Sequence, residues 1–353
     1  MSSIARHRRW LKGLEANQLD GFLVSHSPNL SYLFHFSGSA GLGCYISGQS
    51  YLIVDSRYIE QANAETSNCH ILLAEKSLED TLKTLLEKLS SRKHLRIGVE
   101  SAHISWEQIR RLQSWTTQIN WIPTSHLIEK LRMIKDAEEL KLLEEAVRIA
   151  QQAYQLMKGE VRAGMKEIDV AGILELEFRQ AGGQGLAFDT IVASGSRSSL
   201  PHANTTYRTI REDEFLLVDF GIKYQGYCSD LTRIHSMPKS VAPSIFAIVQ
   251  EAQREAIAHI RPGVCSTKID AAARQIISRY GYGDYFKHST GHGLGLEVHE
   301  LPSLSAHKPQ ELQEGMTITV EPGIYLPGKY GVRIEDVVTV TKTGCRILSN
   351  QSI

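Results

Sequence analysis

Hydrophobic positions in the first third of the chain switch repeatedly between a helical and an alternating period. Residues 4–18 read as an amphipathic helix with Trp10, Leu11 and Leu14 available for one face. Gly21 to Val24 form a short apolar strand, followed by a Ser/Pro/Asn turn and a Gly/Ser loop around Phe36 to Gly41. Strand patterns at 43–46, 51–54, 70–73, 96–99 and 119–122 then alternate with helical ones after Asp55 and at 78–89 and 106–112. Such alternation predicts an α/β unit over residues 1–125.

The pattern changes near Pro123. Asp136 reads as a helix N-cap with Glu139 three residues on, and Leu140, Leu143, Val147, Ala150, Tyr154 and Met157 recur at threes and fours behind it. Over 126–353 the coarse order occurs twice. Helices at 136–157 and 167–181 precede strands near 188–194, 215–220 and 227–235; helices at 242–260 and 266–280 precede strands near 286–290, 315–321 and 332–341. This order predicts an α+β unit with an internal duplication of structure.

Composition narrows the class. The 353 residues, 42% hydrophobic and 22% charged, suit a soluble globular protein of two domains. Lys+Arg and Asp+Glu both number 39, so no global field favours nucleic acid or an anionic membrane. Arg6, His7, Arg8 and Arg9 make a local basic patch that fits a solvated helix start. Five cysteines without a close pair speak against a disulfide framework and for a cytoplasmic location. The basic N-terminus has no apolar run behind it, and no stretch approaches the roughly 20 apolar residues of a membrane span.

Candidate chemistry lies in Gly-rich and strand-like segments of the second unit. In FLLVDFGIKYQGYCSDLTR an apolar strand ends in Asp219, and Gly221 and Gly226 let the chain reverse into a strand carrying Asp230. Taken alone, the two carboxylates fit turn caps in separate loops equally well. HSTGHGLGLEVHELP sets His288, His292 and His299 among Gly291, Gly293 and Gly295, a density unusual for satisfied core histidines. In GMTITVEPGIY the alternation puts Thr317, Thr319 and Glu321 on one face, opposite Met316, Ile318 and Val320. In YGVRIEDVVTV, Arg333 and Glu335 share a face, which also fits an in-strand ion pair. Four carboxylates and one imidazole (Asp219, Asp230, His292, Glu321, Glu335) read together as a site for two divalent ions such as manganese, cobalt, zinc or iron. Two such ions activate water and polarise a carbonyl, which is hydrolase chemistry. By residue type alone His202 in LPHANTT reads as a loop histidine.

In this order, VDFG, SDLTR, GHGLGLEVHELP, EPGIY and RIED resemble the signature of the pita-bread metallopeptidases: Xaa-Pro aminopeptidases, prolidases and methionine aminopeptidases. LDGFLVSHSPNLSYLFHFSGSAG and LIVDSRYIEQA resemble the creatinase-type N-terminal domain of the Xaa-Pro branch, so the similarity covers nearly the whole chain. The resemblance implies a creatinase-like α/β domain at 1–125 and a pita-bread catalytic domain with a pseudo-twofold axis at 126–353. It implies two divalent ions, Mn2+ foremost. Asp219 would hold one through both oxygens, Asp230 and Glu335 would bridge, and His292 and Glu321 would hold the second. It also implies that Glu321 takes a proton from the attacking water, that His299 bonds substrate and the tetrahedral intermediate, and that His202 sits near the substrate amide or leaving group. His288 and Arg333 match positions that line the proline pocket, and a shaped apolar pocket with Tyr325 also nearby is expected to accept the ring.

The expected activity is hydrolysis of the bond preceding proline, as an Xaa-Pro dipeptidase, with an Xaa-Pro aminopeptidase acting on longer peptides as the alternative. Methionine aminopeptidase is disfavoured by the N-terminal domain, and creatine hydrolysis or a non-catalytic scaffold by the complete ligand set. Proline-containing peptides or dipeptides are the expected partners, with no nucleic acid or membrane, in a homodimer.

Overall fold

The computed structural model describes residues 3–90, 94–235 and 243–349. Two compact units divide the chain, Met1–Arg132 and Met133–Ile353.

The first unit is a six-stranded sheet in the spatial order His70–Leu73, Gln49–Val54, Leu42–Ile46, Gly21–Val24, Leu95–Glu100, Ile119–Thr124. The three central members run antiparallel as a meander, and the outer pairings are parallel. All four residues of Gly21–Val24 are buried, as expected for a strand covered on both faces. Leu82, Leu86 and Leu112 from the helices Leu78–Ser90 and Trp106–Trp115 meet Leu23, Ile53 and Ile97 of the sheet. Where the sequence predicts a Ser/Pro/Asn turn, the chain makes a helix, Ser27–Phe34. Pro28 suits its first turn, Leu30, Tyr32 and Phe34 are buried, and His35 in the left-handed region (φ 58°) ends it. Eight residues are too few for periodicity to show. The short helix Leu127–Arg132, beyond the change of pattern at Pro123, belongs with this unit.

The second unit is a pita-bread fold. Helices Ala137–Glu160 and Glu167–Gln180 open its first half; Pro243–Ala258 and Ser266–Arg279 open its second. Residue 242, where the third helix was expected to begin, lies outside the described residues. The Asp136 cap forms as expected: its side chain accepts from the backbone of Glu138 and Glu139, and the Glu139 carboxylate bonds back to the Asp136 N–H.

The duplication shows in the backbone. Gly164 N–H bonds to the Ile210 carbonyl at 2.9 Å, and Gly263 N–H to that of Leu312 at 2.9 Å, both glycines having positive φ. Ile210 N–H returns to Met165 and Leu312 N–H to Val264. The offset that carries Ile210 to Leu312 also carries Asp219 to Glu321. Asp230 and Glu335 correspond as well, each directly preceding a strand, Leu231–His235 and Asp336–Val340. Two carboxylate pairs therefore arise from one motif used twice, while His292 belongs to the second half alone.

The strands differ from expectation where the carboxylates lie. The run at 227–235 breaks into Tyr227–Cys228 and Leu231–His235, and the run at 332–341 into Tyr330–Arg333 and Asp336–Val340. Asp230 and Glu335 occupy the breaks. The chain does reverse between Asp219 and Asp230, but by way of a separate hairpin, Ile222–Tyr224 with Tyr227–Cys228, which pairs in another sheet. No strand forms at 286–290. Arg274 binds the carbonyls of Phe286 and His288, so a side chain takes bonds a ladder would have used, and the Thr290 N–H is shared between Asp270 and the Leu304 carbonyl. The ladder begins at Gly291–Gly293 instead.

Candidate metal centre

Five elements of the second unit bring the candidate ligands together. Asp219 lies within Leu216–Phe220 and faces Thr232 across the antiparallel ladder. Glu321 follows Thr317–Val320, and His292 is the middle residue of Gly291–Gly293. Asp230 and Glu335 complete the set from the strand breaks. The glycines around His292 serve strand packing: a Cβ on Gly291 would lie 2.0 Å from the Thr319 carbonyl oxygen.

Distances are short around His292. His292 Nε2 lies 3.6 Å from Asp230 Oδ2 and 3.4 Å from Glu321 Oε1. Asp230, His292 and Glu335 each offer a ligand atom, and these all lie within 4.8 Å of one another. His292 Nδ1 is 3.1 Å from the Gly293 carbonyl, which can only accept. Nδ1 therefore carries the proton, and the Nε2 lone pair faces the carboxylates.

The charges conflict. Burial, then repulsion from Glu335, Asp219 and Glu321, raises the Asp230 carboxyl well above the ordinary carboxylate range. Burial raises Glu321 to about 7. Burial, then Glu321 and Asp219, raises Glu335 likewise. Burial lowers His292, and lowers His288 to about 4, so both imidazoles are neutral at neutral pH.

Arg333 lies in the midst of these groups. Its Nη2 donates to Asp219 Oδ2 at 2.5 Å, its Nε to Thr232 Oγ1 at 2.9 Å, and its Nη1 to Tyr325 Oη at 2.8 Å and to the Pro201 carbonyl at 3.1 Å. Thr232 passes the contact on, donating to Glu335 Oε2 at 2.8 Å. The in-strand pair between Arg333 and Glu335 that the sequence allowed is replaced by a bond to Asp219. Tyr325 lies 2.9 Å from His288 Nε2, and His288 Nδ1 donates to the Ser289 carbonyl. The three residues expected about a proline pocket thus form one hydrogen-bonded chain ending on Asp219. The His299 ring centroid lies 4.3 Å from that of His292. His202, exposed on its loop, acts electrostatically on His288, His299 and Glu321.

Thr232 escaped the sequence reading. Its signal was there: two residues past Asp230, it takes the next position on the same face of a strand.

A divalent cation suits this donor set. Asp230 and Glu335 lie beside His292 with Glu321 3.4 Å from its Nε2, and Asp219 Oδ1 is buried without a hydrogen-bond partner among the described residues. Hard oxygen donors with a single imidazole match manganese, cobalt, zinc or iron.

The arrangement is that of a metal-dependent peptidase with a pita-bread catalytic unit. Residues 141–342 match the model of metallopeptidase family M24, and residues 6–134 that of the creatinase/prolidase N-terminal domain. The chain belongs to metallopeptidase family M24. It is 36% identical to an Xaa-Pro dipeptidase of Pyrococcus horikoshii over 97% of this chain and 96% of that one. Among solved structures it is similar to an Xaa-Pro dipeptidase from Bacillus anthracis, with a TM-score of 0.94, 36% identity and coverage of 99% and 98% of the two chains. An X-Pro aminopeptidase from Thermotoga maritima gives 0.89 and 35%, over 96% and 97%.

Proposed function

We propose that the chain hydrolyses the peptide bond preceding proline in Xaa-Pro dipeptides, using two divalent metal ions held by Asp219, Asp230, His292, Glu321 and Glu335. The buried acidic set with its partnerless Asp219 oxygen carries this reading, and the full-length likeness to Xaa-Pro dipeptidases supports it. Longer Xaa-Pro peptides are the second reading, favoured by the likeness to the Thermotoga aminopeptidase.

Bound cations would supply Lewis-acid polarisation of the scissile carbonyl and of water. The protein supplies the rest. Glu321 takes the proton of the attacking water, and His299, beside His292, offers a hydrogen bond to the oxygen on which charge develops. His202 stands at the leaving-group side. Tyr325, His288 and Arg333 brace one another beside the metal ligands and shape the wall the proline ring meets. Proline suits such a site because its nitrogen carries no hydrogen and its φ is fixed, so shape replaces an N–H contact.

Oxygen-rich coordination favours Mn2+. A homodimer in the cytoplasm completes the reading; the cysteines among the described residues are all free. Among the described residues no helix is long and apolar enough to cross a membrane.

The deciding experiment offers the EDTA-stripped and Mn2+-reloaded protein one Xaa-Pro dipeptide and one Xaa-Pro-Yaa tripeptide, with products followed by mass spectrometry. Cleavage of the dipeptide alone is expected. Cleavage of both moves the assignment to aminopeptidase, and cleavage of neither overturns it. Light scattering tests the dimer.

A further inference from the structure

Glu167 opens the helix Glu167–Gln180, and its side chain is fully buried. A carboxylate in that position is costly unless donors surround it, and five do. Oε1 accepts from Ser194 N at 2.8 Å and Ser194 Oγ at 2.8 Å. Oε2 accepts from Thr206 N at 3.1 Å, Thr206 Oγ1 at 2.5 Å and Arg197 Nε at 3.2 Å. Ser194 and Thr206 are the two ends of the loop that carries His202.

The internal duplication shows what is special here. Glu167 N–H bonds to the Arg208 carbonyl just as Ser266 N–H bonds to that of Gln310, so Ser266 is the matching position in the second half. Among the described residues Ser266 uses its hydroxyl on Lys308 and Gln310. The longer carboxylate in the first half reaches past the matching segment and grips a loop. Within that loop Arg197 bonds to the Asn204 carbonyl as a second rung. Ser198 Oγ accepts the Gly331 N–H at 2.9 Å, and the Pro201 carbonyl accepts Arg333 Nη1 at 3.1 Å. The base is held by Glu167 and the middle by the metal-centre side, with His202 next to Pro201.

We propose that Glu167 is a positioning residue whose carboxylate clamps both ends of the Ser194–Thr206 loop and thereby fixes where the His202 imidazole meets substrate. The inference rests on the proposed peptidase reading for the role of His202. Loss of the clamp lowers kcat/KM for an Xaa-Pro substrate by between about 10- and 100-fold, the scale of a misplacement near 1 Å.

The test is a double-mutant cycle on the Mn2+-loaded enzyme with Glu167→Gln, His202→Ala and the pair. Gln presents an N–H2 to donors and so opens one side of the clamp. The expected result is that Glu167→Gln costs little or nothing further once His202 is gone, with bound metal unchanged by elemental analysis. Full additivity, or no loss from the single variant, overturns the proposal. Thr206→Val removes one donor and leaves the carboxylate in place, so the cycle is repeated with it should Glu167→Gln not fold; the same outcomes apply. A readout independent of turnover separates this claim from the peptidase reading: the His202 imidazole signal in proton–carbon NMR, assigned by its loss in His202→Ala. It shifts in Glu167→Gln or Thr206→Val if the clamp sets its position, and an unmoved signal overturns the proposal even for an enzyme with another substrate.

Discussion

Arg333 Nη2 lies 2.5 Å from Asp219 Oδ2, while the other oxygen of Asp219 is buried without a hydrogen-bond partner among the described residues. Half of this carboxylate is thus held by the protein's own cation, and half is left without a donor. In the absence of metal the guanidinium is the permanent counter-charge at the centre. Arg333→Ala should therefore destabilise the metal-free protein by about 3 kcal/mol or more, the usual cost of stranding a buried charge. The loss should be smaller with Mn2+ bound. Melting temperatures of both proteins in EDTA and in Mn2+ check this; an equal drop in the two conditions contradicts it.

Asp230, Glu321 and Glu335 carry raised pKa values in the metal-free fold, Glu321 reaching about 7. The folded protein holds protons that the unfolded chain releases near about pH 4. Their contribution favours folding below about pH 4 and is lost as pH climbs through the raised values. Cations bind the deprotonated carboxylates, so the melting-temperature gap between loaded and metal-free protein should widen from about pH 4 to about pH 7. Calorimetry at several pH values reads the gap directly, and a constant gap would contradict the assignment.

Asp230→Asn keeps the shape of the side chain and removes a carboxyl whose pKa is raised by burial first and by the neighbouring carboxylates second. Activity should fall by about 100-fold or more with reduced metal content, while far-ultraviolet circular dichroism stays that of the parent. Wild-type turnover in the variant would remove Asp230 from the site.

Lys135 Nζ and Glu300 Oε2 are 3.0 Å apart, with side chains only 1% and 5% exposed. Glu300 also packs on Gly295, whose carbonyl accepts the Cys228 N–H two residues before Asp230. Glu300→Gln should cost about 3–5 kcal/mol by leaving the ammonium unpaired, and adding Lys135→Met should recover much of it. Denaturant titration of the three variants decides; no recovery in the pair would show that the charges themselves are not the issue.

The candidate centre was legible in the chain only through the joint occurrence of its residues, since each segment taken alone also fits turn caps or an in-strand ion pair. Acidic groups in apolar, Gly-rich strand segments are costly without a cation, and that cost marks Asp219, Asp230, Glu321 and Glu335. The capping box at Asp136 was legible for a similar reason, being a local bond between residues three apart. The absence of a strand at 286–290 was not, because nothing in the run Phe286 to Thr290 records that Arg274 claims the carbonyls of Phe286 and His288.

The sequence by itself determined most of the order of elements, though not the helix Ser27–Phe34 or the missing strand at 286–290, together with the residue types of the candidate metal centre and the class of chemistry they suit. These depend on local periodicity and on the energetic cost of particular side chains, both properties of short segments. Only the tertiary structure decided that Arg333 bonds to Asp219 rather than Glu335, that the strands break at Asp230 and Glu335, and that Glu167 ties Ser194 to Thr206. Those choices are made between groups far apart in the chain. Which donor meets which acceptor depends on packing distances that no local pattern records.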